Sequence, residues 1–220
     1  AKLLGYQILS LADYENMTGV PKFVLKAKEK GFKPLVGEDL IVEDTLLTFI
    51  VLNEEGYLNL LKLNYANQKK ELTIDYIKEN QNGLVVILSS NEPIIVNQLQ
   101  SETLPRQLAK FARGIEHFYL GLEKNDILYM NSVRDFSYSH GYSLVAFPFV
   151  RYVKKEDAIV LKMLEAVETK EVLTEKKWVG DEFLLDEKTI ENIYKNEEVK
   201  LTNTIASMVN FEFFQKRGKM

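Results

Sequence analysis

Short apolar runs alternate with segments of helical period along most of the chain. Runs with strand character lie at residues 6–12, 34–42, 45–52, 84–89, 117–122 and 142–147. Helical segments precede or follow most of them, beginning with residues 21–30, which end at Gly31. A repeated strand and helix order predicts parallel strands joined by right-handed crossovers, in an open sheet or a closed barrel.

The clearest helix start follows the third strand. Asn53 is a favourable N-cap, and Glu54 and Glu55 fall in the first turn, where the helix dipole favours carboxylates. Leu58 and Leu61, together with Tyr65, repeat at helical spacing. We expect these three side chains to form the core-facing stripe of the helix.

The two ends of the chain differ from its middle. The opening letters AKLLG resemble the last turn of a helix closed by Gly5, which predicts a further helix and strand upstream of Ala1 and makes this chain a fragment. Beyond the last strand, segments 155–166, 187–195 and 196–209 have helical character. No linker interrupts the chain, so we expect one domain, 1–220, with a barrel over 1–153 and a helical part over 154–220.

The amino-acid composition argues against several kinds of functional site. The chain has two histidines and no cysteine, which excludes zinc sites rich in either residue. Its 28 basic and 32 acidic residues give a net charge of −4, an unsuitable balance for holding a phosphate backbone. No apolar run approaches the roughly 20 residues that span a bilayer, so we expect no membrane contact. The absence of cysteine fits the cytoplasmic location that we expect.

Common catalytic signatures are missing from the sequence. It contains no GxGxxG, GxxxxGK[ST], GxSxG or HExxH. His117 and His140 have no nucleophile motif around them, and we expect structural or surface roles for both. The aromatic residues Tyr129, Phe136, Tyr138 and Tyr142 fit core packing better than base stacking.

If the strands are parallel, functional residues are expected at their carboxyl ends. The segments to inspect are therefore 12–16, 37–39, 89–92 and 147–151.

Four sequence blocks occur in a specific order. They are GFKPLVGEDLIV at 31–42, NEEGYLNLLKL at 53–63, FYLGL at 118–122 and LVAFPFVRYVKKEDA at 144–158, and DEFLLDEKTIENIY follows from Asp181. Together they resemble the N-terminal PHP (polymerase and histidinol phosphatase) domain of the alpha subunit of bacterial DNA polymerase III, a C-family polymerase. The resemblance covers nearly the whole chain and is strongest to the branch found in Gram-positive bacteria.

The resemblance implies a distorted, seven-stranded TIM-like (β/α) barrel of PHP type, whose first strand lies upstream of this chain. In intact members a multinuclear metal cluster sits at the carboxyl ends of the strands, held by imidazoles and carboxylates. The first histidine pair of that pattern also lies upstream. The other ligand positions fall on Asp13, Tyr14, Asp39, Leu46, Phe149 and Arg151.

Only two of these positions keep a metal-binding side chain, because leucine and phenylalanine cannot ligate and arginine is not deprotonated. We therefore expect a degenerate metal site with no metal, no other cofactor and no catalytic residue. We also expect Arg151 to replace the metal charge by pairing with Asp13 or Asp39.

The resemblance further implies a non-catalytic scaffold and docking domain in DNA replication. Its parent would be a DNA-directed DNA polymerase, a nucleotidyltransferase that contacts DNA through other domains. Expected partners are those domains, and a proofreading exonuclease or another replisome protein.

Two alternatives stay open from the sequence. One is a metal-dependent phosphoesterase or 3'-5' proofreading nuclease with a reduced metal set on Asp13, Asp39 and the upstream histidines. The other is a stand-alone PHP protein unrelated to replication.

Overall fold

The computed structural model describes residues 1–170 and 182–212. The strands are β1 (Ile8–Tyr14), β2 (Lys33–Val42), β3 (Thr45–Val51), β4 (Leu84–Ser89), β5 (Phe118–Leu122) and β6 (Leu144–Ala146). The helices are α1 (Val20–Glu29), α2 (Glu54–Gln68), α3 (Ile74–Glu79), α4 (Pro93–Val96), α5 (Leu104–Ala112), α6 (Ile127–His140), α7 (Ala158–Thr169), α8 (Glu187–Ile193) and α9 (Asn196–Met208). Short 3₁₀ turns occupy Lys2–Leu4 and Lys155–Asp157.

The six strands form one curled, mixed sheet, a half-barrel with the strands in sequence order. β1 pairs with β2, β4 with β5 and β5 with β6 in parallel, whereas β3 is antiparallel to both β2 and β4. The expectation of uniformly parallel strands is therefore wrong. Its cause is the connection Glu43-Asp44, whose two positive φ angles, 49° and 65°, make a hairpin too short for a crossover helix.

The two faces of the sheet carry separate apolar clusters. On one face, Leu40, Phe49 and Leu88 pack against Leu60 and Leu63 of α2, and α3 and α5 join the same cluster. Helices cover this face as they cover the outside of a (β/α) barrel.

The opposite face is the one that a closed barrel would turn inward, and α9 covers it. Ile50 and Val85 of the sheet pack there with Ile205 and Val209. The Thr202 hydroxyl donates to the Ala146 carbonyl at 2.9 Å. The C-terminal helical part is therefore integral to the fold, because α9 covers the inner face of the half-barrel.

A buried ion pair joins α6 to α9. The Arg134 Nε donates to Glu198 Oε1 at 2.6 Å, and Nη2 donates to Glu198 Oε2 at 3.0 Å. The same Nη2 donates to the Ile193 carbonyl at 3.1 Å, and the Glu198 carboxylate also accepts from the Lys195 amide. This ion pair links residues 64 positions apart and was not predicted from the sequence.

α2 begins as predicted but faces the other way. The Asn53 side chain accepts from the Gly56 amide at 2.9 Å, which confirms the N-cap. The predicted core stripe is wrong, because its side chains are largely exposed: Leu58 54%, Leu61 41% and Tyr65 62%. Leu60 and Leu63 are buried instead. The apolar residues of α2 therefore lie on both sides of the helix, and their spacing alone does not show which side faces the core.

The predicted element positions otherwise agree closely with the structure. Lys2–Leu4 is a single helical turn, and Gly5 closes it with φ 82°. The helices predicted after residue 154 correspond to α7, α8 and α9, whereas Asp181 and residues 213–220 lie outside the described residues. None of the helices in the described ranges has the length and apolarity to span a bilayer.

Candidate functional site

The predicted ligand positions on β1 and β2 lie side by side at the carboxyl edge of the parallel pair. In the register of these strands, Asp13 is opposite Glu38 and Tyr14 is opposite Asp39. Tyr14 is 55% exposed, whereas Asp39 is buried. The structure therefore brings the two surviving carboxylates of the predicted site, Asp13 and Asp39, to the same edge of the sheet.

Asp39 is the most constrained carboxylate at this edge. It accepts a hydrogen bond from the Thr48 hydroxyl of β3 at 2.5 Å. Burial raises the pKa of Asp39 to about 6, the negative charges of Asp13 and Glu92 add to the rise, and the Thr48 hydrogen bond opposes it. The carboxylates of Asp13 and Glu92 therefore both repel that of Asp39.

Leu46 contributes only its backbone to this edge. Its amide donates to Glu92 Oε2 at 3.0 Å, across from the segment that follows β4. Glu92 lies in the 89–92 segment expected to contain functional residues. At the position where the family pattern has an imidazole, the backbone amide of Leu46 thus binds a carboxylate.

A second polar cluster joins the ends of β4 and β5. Glu123 accepts hydrogen bonds from the Ser89 hydroxyl and from Asn91 Nδ2, and its amide donates to Ser90 Oγ at 3.0 Å. Burial raises the pKa of Glu123, and the charges of Glu92 and Glu182 contribute. Glu123 is not among the residues predicted from the sequence, although its place directly after the FYLGL strand was an available signal.

The last two predicted positions, Phe149 and Arg151, lie on the segment after β6. Phe149 is 43% exposed. The Arg151 amide donates to the Glu182 carbonyl at 2.8 Å, and Arg151 Nη1 lies 3.7 Å from Glu182 Oε2. Glu182 is thus a partner that the sequence analysis did not consider, and the pairing of Arg151 with Asp13 or Asp39 stays a prediction.

Glu38, next to Asp39 in sequence, points to the opposite face of β2. It is fully buried and accepts a hydrogen bond from Asn64 Nδ2 of α2. Its Oε2 has no hydrogen-bond partner among the described residues. Burial raises the pKa of Glu38 to about 7, and the charges of Glu15 and Asp39 add to the rise.

The two histidines lie apart from these carboxylates. His117 precedes β5, at the opposite end of that strand from Glu123. His140 ends α6, where its Nδ1 lies 2.9 Å from the Phe136 carbonyl oxygen and its ring stacks on Phe136. These contacts fit structural roles. Of the four aromatic residues expected in the core, Phe136 is buried, but Tyr138 is 93% exposed.

The side chains of the described residues do not fit a multinuclear metal cluster. Within residues 1–170 and 182–212, no group of three or more histidine, aspartate or glutamate side chains has an arrangement that could hold a metal ion. Asp39, Glu92 and Glu123 already accept hydrogen bonds from protein donors. Leu46 and Phe149 offer no ligand atom.

The N-terminal part of the chain is similar to a known protein family. The PHP domain family matches residues 1–104. Residues 1–104 are therefore similar to a PHP domain. It is also 26% identical over 216 residues to the DNA polymerase III subunit alpha of Streptococcus pyogenes serotype M3, and 26% identical over 243 residues to that of Buchnera aphidicola subsp. Schizaphis graminum. The resemblance drawn from the sequence blocks is confirmed.

The alignments cover 96% and 98% of this chain but only 19% and 21% of the two polymerase subunits. The chain thus spans about a fifth of the length of these curated relatives. Because both match at the same identity, the comparison does not distinguish one bacterial branch from another.

Two solved structures are more distantly similar. One, assigned as a metal-dependent phosphoesterase from Bifidobacterium adolescentis, is 12% identical, covers 92% of this chain and 90% of its own, and has a TM-score of 0.45. The other, an amidohydrolase from Chromobacterium violaceum with bound sulfate and no metal, is 8% identical, covers 66% and 78%, and has a TM-score of 0.42.

Proposed function

We propose that this chain is the PHP domain of a DNA polymerase III alpha subunit and that it serves as a non-catalytic scaffold in the cytoplasm. The alignments to polymerase alpha subunits support this proposal, because they run through almost the entire chain and continue beyond the PHP match at residues 1–104. The parent protein would be a DNA-directed DNA polymerase whose nucleotidyl transfer takes place in another domain.

One observation carries the non-catalytic role. Positions where the family pattern has imidazoles or carboxylates hold Tyr14, Leu46, Phe149 and Arg151. Hydrolysis of a phosphodiester by clustered metals requires several ligands that converge on the ions and generate hydroxide. The carboxylates that remain accept hydrogen bonds from protein donors, so in this proposal they link neighbouring strands and do not hold a metal cluster.

Docking is the second part of the proposal. The remaining polymerase domains are the expected partners, and a proofreading exonuclease or another replisome protein would use the same domain as a platform. The net charge of −4 suits protein contacts better than contacts with a phosphate backbone. DNA would be reached through the parent polymerase.

We also infer a complete seven-stranded, TIM-like barrel in the parent. Among the described strands, β1 pairs only with β2, which leaves its other edge for a further strand. A strand upstream of Ala1 would pair there and bring the first histidine pair of the family pattern to the same carboxyl edge.

Removal of this domain tests the scaffold role. The native gene product would be compared with a version lacking residues 1–220, by thermal unfolding and by primer extension. We expect the shortened polymerase to unfold at a lower temperature and to lose primer extension. A shortened polymerase as stable and as active as the intact one would refute the scaffold role.

One observation favours a second candidate, a phosphoesterase or proofreading nuclease with a reduced metal set. Asp13 and Glu92 both repel the Asp39 carboxylate, and a divalent cation would relieve that repulsion. This candidate predicts hydrolysis of bis-p-nitrophenyl phosphate with Mn²⁺ or Zn²⁺ that Asp39→Ala abolishes and the exposed Asp75→Ala leaves unchanged. Equal rates with the native protein and with Asp39→Ala would exclude it.

A further inference from the structure

Helix α7 turns an apolar face to solvent. The side chains of this face are 47% to 78% exposed: Ile159 48%, Val160 54%, Met163 47%, Leu164 64% and Val167 78%. At 3.6 residues per turn they lie within an arc of about 140°. A stripe of this width normally faces a core, and an exposed one marks an interaction surface.

The covered side of α7 is less apolar than its exposed side. Ala158 is buried, while Leu161 and Ala166 are half-buried. Of these three side chains only Leu161 is large, whereas all five side chains of the exposed face are larger than alanine. This order is the reverse of a normal surface helix, so folding of the described residues alone does not explain the sequence of α7.

The comparisons indicate where the missing partner lies. The PHP family match ends at residue 104, well before α7. The alignment to the Streptococcus alpha subunit covers 96% of the chain and therefore includes α7, yet it accounts for 19% of that subunit. The exposed helix thus belongs to the part shared with long polymerase subunits and not to the part matched by the PHP family.

We propose that the α7 face is an interdomain contact covered by an apolar surface of the polymerase portion of the same polypeptide. This inference rests on the proposed function, because it requires a parent chain much longer than 220 residues. It assigns the scaffold role to one surface, the side chains between Ile159 and Val167.

Single cysteines provide the test, since this chain has none of its own. Leu164→Cys reports on α7, and Leu25→Cys, at a position 59% exposed on α1, is the matched control. Each variant is labelled with maleimide in the 220-residue chain and in the native gene product, with the unsubstituted protein as background. We expect Leu164→Cys to react at least tenfold more slowly in the native gene product and Leu25→Cys to react at similar rates in both.

The other outcomes separate this inference from the proposed function. A native gene product no longer than this chain would overturn the proposed function. A long gene product in which Leu164→Cys still reacts rapidly, or in which both cysteines slow equally, would overturn the α7 contact alone. Slow labelling already in the 220-residue chain, with or without dimerisation by light scattering, would overturn it as well. If Leu164→Cys fails to fold, Val167→Cys replaces it.

Discussion

The backbones of Gly56 and Gly83 touch where α2 begins against the turn before β4. A methyl group on Gly56 would overlap the Gly83 carbonyl oxygen, which itself accepts a hydrogen bond from the Leu52 amide at 2.8 Å. Gly83 has φ +73°, and a side chain there would overlap the Asn53 cap. The glycine in NEEGYLNLL is thus required for the approach of a helix to a turn.

The glycines of the KPLVG and FYLGL blocks have the same explanation. A methyl group on Gly37 would overlap the Phe49 carbonyl oxygen, and one on Gly121 would lie 2.8 Å from both Ile87 and Phe147. These blocks carried the resemblance to the PHP domain. The glycines of these blocks are required by close packing in the fold. A chain can therefore keep the blocks after it has lost metal ligands.

Gly56→Ala is expected to destabilise the domain by about 2 kcal/mol or more, because the clash outweighs the roughly 1 kcal/mol by which alanine favours a helix. Urea unfolding measures the change. Gly31→Ala is the control, since Gly31 has φ +78° but open space around it, and it should cost only about 1 kcal/mol. Equal effects of the two substitutions would contradict the contact with Gly83.

Glu38 should make stability depend on pH. The unfolded chain releases this proton near pH 4.5, whereas the folded chain keeps it to about pH 7, so the free energy of unfolding falls as pH rises through that window. Glu38→Gln can still accept from Asn64 and should stabilise the protein at pH 8 by about 2–3 kcal/mol.

Unfolding in urea from pH 4 to pH 8 measures this effect, with the exposed Glu79→Gln as control. The control should keep the native pH dependence, and Glu38→Gln should reduce its slope while the part due to Asp39 remains. An unchanged slope in Glu38→Gln would show that Glu38 does not bind the proton.

Thr48 should lower the pKa of Asp39 through its hydrogen bond. Thr48→Val removes that donor while keeping a similar shape, so the pKa of Asp39 should rise above about 6. Carboxyl ¹³C chemical shifts during a pH titration measure it. In Thr204→Val, which removes an exposed hydroxyl that donates to the Lys200 carbonyl within α9, the pKa of Asp39 should not change.

The Arg134–Glu198 pair should behave as a buried ion pair. Arg134→Met leaves the Glu198 carboxylate buried without its cation and should cost about 3–5 kcal/mol. Adding Glu198→Gln removes the unpaired charge and should recover at least about 1 kcal/mol. Lys26→Met, which breaks the exposed pair with Glu29 at 2.8 Å, should cost less than about 1 kcal/mol. A double variant less stable than Arg134→Met would contradict this account.

Local signals predicted the elements well, and long-range contacts account for the errors. The predicted fourth strand, 84–89, matches β4, and Asn53 caps α2 as expected. The rotation of α2 depends on its contact with Gly83, which adjacent letters do not reveal. The two residues that connect β2 and β3, Glu43 and Asp44, have the length of a hairpin loop. The alternating order of strands and helices nevertheless predicted parallel pairing.

The residues of the candidate site were likewise predicted only in part. The family pattern placed Asp13 and Asp39 at the correct edge, because motif positions map onto strand ends. Glu92 and Glu123 enter the cluster only when β3, β4 and β5 are paired. Glu182 reaches Arg151 from outside the sheet, which no spacing in the sequence indicates.

Metal content of the native gene product, together with that of its Asp39→Ala variant, tests the central claim most directly. Both proteins would be purified without chelators and measured by inductively coupled plasma mass spectrometry. We expect well below one equivalent of zinc, manganese or iron attributable to this domain, with no difference between the two proteins. Stoichiometric metal in the native protein that Asp39→Ala removes would show a working metal site and contradict the non-catalytic scaffold.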